Sequence, residues 1–163
     1  PSPTPAASPT AGLGLGMRAP TLTLPALGGG TIDTAAYAGT PLWVTFMATW
    51  CPSCIDELPM MDGLQARLGD DLAIVLVDVR EDEELVASFI NSLDVELPVA
   101  LDRDGAVQAE WGYVLPTHYF IDADGILREV IFGGAPPPVF LDAVRLVAPE
   151  ADLPVETLEP AGG

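Results

Sequence analysis

Cys51 and Cys54 are the only two cysteines in a chain of 163 residues, and they stand in the run Trp50-Cys51-Pro52-Ser53-Cys54. A thiolate is the nucleophile of disulfide exchange, and an ordinary cysteine is mostly protonated at neutral pH. The unpaired N–H groups and partial positive charge of a helix N-terminus favour the thiolate. Cys51 lies at such a point, between the strand-like run Leu42 to Met47 and the helix-like run Ile55 to Leu68. Cys54, one helical turn on, shares its face and can attack a mixed disulfide formed at Cys51. The spacing therefore predicts a redox pair in which Cys51 attacks and Cys54 resolves. Pro52 suits a first helical turn, where its missing N–H costs nothing. Trp50 is expected to pack beside the pair and limit solvent.

Other chemistries compete for the same residues. A structural zinc site needs four ligands, and the chain offers two cysteines and one histidine. A purely structural disulfide across this spacing closes too short a loop to stabilise much. Two thiolates with His118 would suit a soft Cu(I) ion, which makes a copper metallochaperone the alternative function. His118 is equally well explained as a strand residue beside the site. Glu57 follows Cys54 on the same helical face. A partly buried carboxyl there has its pKa raised and passes protons to or from Cys54, whereas an exposed helix acid does neither; position alone leaves both open. Asp56 points elsewhere. Thr45 lies on the strand under the pair, to hydrogen-bond or simply to pack. Pro116 matters only if the fold brings it to the cysteines, which periodicity cannot show.

The elements that must position these residues follow from pattern. Thr21 to Leu24 alternates polar and apolar, Gly28-Gly29-Gly30 turns, and Thr31-Ile32 returns, a small hairpin. Asp33 or Thr34 caps a short helical turn through Tyr37. Leu42 to Met47 and Leu72 to Val79 are nearly continuous apolar runs, as in strands buried on both faces. Between them Ile55, Leu58, Met61, Leu64 and Leu68 form one helical stripe, which Pro59 should interrupt and kink. Acids Glu81 to Glu84 suit a helix N-terminus, with Leu85, Val86, Phe89, Ile90 and Leu93 facing inward. Leu97 to Leu101 reads as a strand, Ala106 to Trp111 as a short helix, and Leu115 to Asp122 as a strand entered through Pro116. Asp124-Gly125 turns the chain into an antiparallel return, Ile126 to Phe132, and a last helix runs from Val139 to Val147. Strands alternating with helices mean a central sheet covered on both faces.

The chain length suits one domain with one core, and 49% apolar residues suffice to fill it. We place a Pro/Ala/Ser/Thr-rich linker at 1–18, the folded domain at 19–148 and a mobile acidic tail at 149–163. The net charge of −18, with six arginines and no lysine, repels nucleic acid and anionic lipid. No stretch approaches the roughly 20 apolar residues of a membrane helix. The chain starts at Pro1 rather than methionine. A Pro/Ser/Thr tether ahead of a redox domain leads to the expectation of an exported protein whose signal or anchor was cut away, its one link to a membrane.

These residues resemble the thioredoxin superfamily and, within it, the TlpA/ResA-like thiol-disulfide oxidoreductases, over about Ala19 to Val147. The marks are Ala19-Pro20 with Leu22 and Leu24-Pro25, the run Phe46-Met47-Ala48-Thr49-Trp50-Cys51-Pro52-Ser53-Cys54, Glu57 with Leu58-Pro59, and Leu115-Pro116-Thr117 before Phe120-Ile121-Asp122. The resemblance implies an α/β thioredoxin fold, a three-layer α/β/α arrangement on a central mixed sheet, with an N-terminal β-hairpin and a central insertion from Asp78 to Asp102. It implies that Pro116 is the cis-proline facing the disulfide, that Leu115 offers backbone groups to a substrate chain, and that Glu57 is the active-site glutamate. Trp50, Pro52 and Thr117 join Leu115 and Pro116 as substrate-binding residues. Departures from the family pattern are Thr45 in place of a buried aspartate, Thr40, Met47, the approach Val114-Leu115 and His118. Peroxide-reducing relatives carry a Pro-x-x-x-Thr-x-x-Cys setting, which this chain lacks, so peroxidase activity is not expected.

The resulting expectation is an extracytoplasmic enzyme, periplasmic or at the cell surface and monomeric. It exchanges disulfides with cysteine-containing proteins, as a reductant of the cytochrome c maturation type, and is recharged by an upstream electron donor. It needs no metal and no cofactor beyond the Cys51–Cys54 disulfide.

Overall fold

The computed structural model describes residues 13–112 and 114–153. Seven strands and four α-helices follow the chain: β1 (Thr23–Pro25), β2 (Thr31–Asp33), β3 (Leu42–Met47), α1 (Pro52–Leu68), β4 (Ala73–Val79), α2 (Glu83–Leu93), β5 (Val99–Asp102), α3 (Ala106–Trp111), β6 (Thr117–Ile121), β7 (Leu127–Phe132) and α4 (Pro137–Val147). Short 3-10 turns fill Thr34–Tyr37 and Gly69–Asp71. The first is capped by Asp33, whose carboxylate accepts from the Ala35 N–H at 2.9 Å.

The main sheet has the order β5-β4-β3-β6-β7, and β1-β2 is a separate hairpin. β3 pairs parallel with β4, and β4 with β5, while β6 and β7 join antiparallel. Each edge is covered in part, which shortens the template for unwanted strand pairing. At one edge, Leu27 donates to the Val99 carbonyl at 2.8 Å, docking the hairpin on β5. At the other, Gly16 donates to Leu127 and Ala19 to Gly125. The ordered fold thus begins ahead of the expected boundary at 19, because residues 16–19 pair with the start of β7. The expected tail also starts attached: Arg67 at the end of α1 donates to the Asp152 carbonyl at 2.9 Å. The remaining linker and tail positions lie outside the described residues.

The expected three layers are present but unequal. One sheet face carries Trp43, Met47, Ile74, Leu76 and Phe120, packed under α1, α2 and α4. The other carries Val44, Phe46, Val75, Val77 and Tyr119, packed against Trp111 of α3 and Leu22 of the N-terminal segment. Period-2 alternation along β3, β4 and β6 therefore places Thr45, His118 and Asp78 on the α1 side. All three are buried, in a layer otherwise made of hydrocarbon.

Two local expectations are corrected. Pro59 does not interrupt α1, which continues to Leu68. Leu85 is exposed, leaving Val86 and Ile90 as the buried positions of α2, with Phe89 and Leu93 at its margin.

Candidate active site

Cys51 is the N-cap of α1 and Pro52 occupies the first turn. The proline leaves one fewer N–H to satisfy at that end. Cys51 and Cys54 are joined by a disulfide with a Cα separation of 5.3 Å. Both are buried, at 3% and 1% exposure, while Pro52 is exposed and Ser53 half-buried. Trp50 is 68% exposed, so it does not shield the pair as expected; its ring stands free beside the helix entrance. Ile55 and Val114 are exposed as well.

Strand register brings the distant residues in. Thr117 pairs with Phe46, so the Leu115–Pro116 peptide, which is cis, enters β6 alongside the end of β3 from which the cysteine segment departs. The Pro116 carbonyl accepts from Gly133 at 2.7 Å, and Thr117 Oγ1 donates to the Val114 carbonyl at 2.6 Å. No described residue takes the backbone N–H or C=O of Leu115.

Glu57 is drawn inward by the stripe that carries it. Cys54, Leu58, Met61, Leu64 and Leu68 of α1 are all buried. Each fully buried aliphatic side chain contributes about 1.5–3 kcal/mol. That sum fixes the helix face and takes Glu57 with it, to 7% exposure. A buried carboxyl must be hydrogen-bonded, and both oxygens are: Oε1 lies 3.0 Å from His118 Nε2, and Oε2 accepts from the Ala135 N–H at 3.1 Å. Glu57 is therefore not the exposed helix acid that position alone allowed.

His118 is fully buried, with both ring nitrogens engaged. Nδ1 accepts from Trp43 Nε1 at 3.1 Å and lies 2.9 Å from Thr45 Oγ1. The copper reading required this ring to turn a free nitrogen toward the cysteines. Its nitrogens face Trp43, Thr45 and Glu57 instead, and no group of three or more His, Cys, Asp or Glu among the described residues could hold a metal ion. The ring thus offers the cysteines no free nitrogen as a third ligand.

Sequence reasoning missed three contributors. Glu81, expected at a helix N-terminus, instead grips the loop ahead of Cys51: its carboxylate accepts from the Thr49 N–H at 2.7 Å and from Thr49 Oγ1 at 2.6 Å. Asp78, opposite Met47 in the register, is 1% exposed, and neither oxygen has a hydrogen-bond partner among the described residues. Burial first, and then the neighbouring Glu81 carboxyl, push its pKa up to about 9. An acid within an otherwise apolar strand was the available signal.

The third contributor is Gly134, between β7 and α4. A Cβ added there would sit 2.8 Å from Ser53 Oγ, 3.0 Å from Ser53 Cβ and 3.5 Å from Glu57 Oε2. The glycine lets this loop close against the cysteine segment. Gly134→Ala is expected to separate the two, at an overpacking cost of about 1–3 kcal/mol. For a chain of this size that lowers the melting temperature by roughly 2–10 °C, read by circular dichroism. An unchanged melting temperature would show that the loop yields freely.

A mixed sheet in this order, with a CxxC disulfide at the first long helix and a cis-proline beside it, defines a thioredoxin-type redox domain. The chain belongs to the AhpC/TSA family, whose model matches residues 15–130, and within it to the ResA-like branch of the thioredoxin superfamily. It is 30% identical over 126 residues to the thioredoxin-like protein YneN of Bacillus subtilis, covering 75% of this chain and 74% of that one. It is 30% identical over 119 residues to the thiol-disulfide oxidoreductase ResA of Bacillus thuringiensis subsp. konkukian, covering 71% and 69%. In fold it is similar to a thiol:disulfide interchange protein DsbE from Chlorobium tepidum, described as putative, with a TM-score of 0.78 at 24% identity over 83% of this chain and 99% of that one.

Proposed function

We propose that the protein is a thiol-disulfide oxidoreductase acting on cysteine-containing proteins through Cys51 and Cys54. The observation that carries this is the Cys51–Cys54 disulfide seated at the start of α1, in a chain related to enzymes named for that reaction. In the reductive direction the Cys51 thiolate attacks a substrate disulfide. A Cys51–substrate bond forms, and the second substrate sulfur leaves with the electron pair and takes up a proton. Cys54 then gives its proton to the Glu57 carboxylate while its sulfur bonds to Cys51. The first substrate sulfur departs with the electron pair and is protonated in turn. The substrate is reduced by two electrons and the protein is left as the disulfide. An upstream dithiol donor must restore it.

A substrate chain would meet the exposed Trp50 and Pro52 and the half-buried Leu115, with Pro116 and Thr117 buried behind them. The exposed indole supplies area, and the backbone groups of Leu115, without a partner among the described residues, supply strand-like hydrogen bonds. The Pro/Ala/Ser/Thr-rich opening of the chain supports an extracytoplasmic, tethered placement, and a cytochrome c maturation role is the narrower form of the proposal.

Redox titration in glutathione buffers tests the direction. A reductant should equilibrate near thioredoxin's potential of about −270 mV. A value near the roughly −120 mV of strong oxidants would reverse the assignment.

A further inference from the structure

His118 sits among the few buried polar side chains on the α1 side of the sheet, and its partners decide where its proton lies. Trp43 Nε1 can only donate, so Nδ1, 3.1 Å away, must accept. Thr45 Oγ1, at 2.9 Å, then donates to the same atom. The ring hydrogen is left on Nε2, which points at Glu57 Oε1 across 3.0 Å. Orientation is fixed by packing as well: the Phe140 ring of α4 stands edge-on to the imidazole with centroids 4.6 Å apart, and Trp43 lies 5.8 Å away on another side. Among the described residues, Glu57 is the ionisable group that reaches the ring; β3 contributes Trp43 and Thr45, and α4 an apolar ring.

We propose that His118 is a positioning residue for Glu57, which deepens the oxidoreductase reading above and rests on it. Locked as the Nε2–H tautomer by Trp43 and Thr45, it donates to Oε1 and so holds the opposite oxygen, Oε2, on the Ala135 N–H. The carboxyl is clamped between a strand residue and the β7–α4 loop, on the helix face that carries Cys54. His118 passes no proton to the cysteines; it sets where Glu57 presents its own. A Thr at position 45 is part of the device, since it shares the buried strand position with the imidazole across the register.

The chain holds a single histidine, so ring nitrogen NMR of the labelled native protein reads this residue alone. A protonated Nε2 and an unprotonated Nδ1 near neutral pH, in both oxidised and reduced protein, is the expected result. A proton on Nδ1 overturns the proposal, and this readout needs no variant to fold. The functional arm is the pH profile of Cys51 alkylation in the reduced protein. His118→Phe and Glu57→Gln should each change the rate by roughly threefold or more, the size seen for contacting pairs, and the double variant should match Glu57→Gln alone. His118→Gln, which keeps an N–H at the far end, should restore most of the native profile. A native profile for His118→Phe, or effects that add in the double variant, overturns the clamp. Alkylation is independent of turnover, so a protein that failed to exchange disulfides would sink the oxidoreductase reading while these readouts still judged His118.

Discussion

Cys54→Ser is expected to accumulate covalent adducts with substrate proteins through Cys51, and Cys51→Ser to accumulate almost none. In Cys54→Ser the attacking sulfur remains at the N-cap of α1. There the free N–H groups and the helix dipole hold negative charge. The first exchange proceeds and the second cannot, because serine offers no sulfur to resolve the mixed disulfide. In Cys51→Ser the surviving thiol is Cys54, which lies inside α1 and lacks the N-cap position that favours a thiolate at Cys51. Turnover is lost in both variants, at least about a thousandfold as for other members of obligate catalytic pairs. Non-reducing electrophoresis after acid quenching separates the two cases. Adducts on Cys51→Ser instead of Cys54→Ser would exchange the assigned roles.

The disulfide pair at a helix entrance was legible because it needs only two thiols, a strand before them and a helix after them. The fold was legible for a similar reason. Leu42–Met47 and Ala73–Val79 are buried runs, Ala106–Trp111 ends where the pattern stops, and Phe140, Leu141, Val144 and Val147 face inward as spaced. What escaped was whatever depends on two distant segments meeting. His118 has no local signature. Only the antiparallel register that sets it opposite Thr45 makes its ring a partner for Glu57. Glu81 looked like a dipole-complementing acid because the acids after β4 form a run, yet the helix begins at Glu83 and frees Glu81 to reach back to Thr49. Trp50 was misplaced because a large apolar residue next to a buried pair is ordinarily buried too, whereas this one faces solvent. Gly134 was silent, since a glycine kept for a close approach to Ser53 looks like any loop glycine until the approach is seen.

Asp78→Asn is expected to stabilise the protein most in alkaline solution and hardly at all in acid. Asp78 lies on the sheet face under α1, beside Met47, with no partner for either oxygen among the described residues. Its pKa rises from 3.8 to about 9, from burial first and Glu81 second. The folded protein therefore keeps a proton that the unfolded chain has lost. Stability depends on pH as the protons bound by the unfolded state minus those bound by the native state, so it falls as pH rises through that window. Below the unfolded value both states hold the proton and no penalty exists. A single proton accounts for at most about 1.4 kcal/mol per pH unit. Between pH 5 and pH 8 that is a ceiling of about 4 kcal/mol, and structural relaxation around the carboxylate should leave about 2. Asparagine keeps the shape and cannot ionise. The variant's melting temperature should then exceed the native one by roughly 4–8 °C at pH 8 and match it near pH 4, by scanning calorimetry of the oxidised protein. Because Glu81 holds Thr49 ahead of Cys51 through its own carboxylate, replacing the neighbouring Asp78 should leave that grip intact. A difference between the two proteins that is the same at both pH values would show that Asp78 carries no proton of its own in the fold.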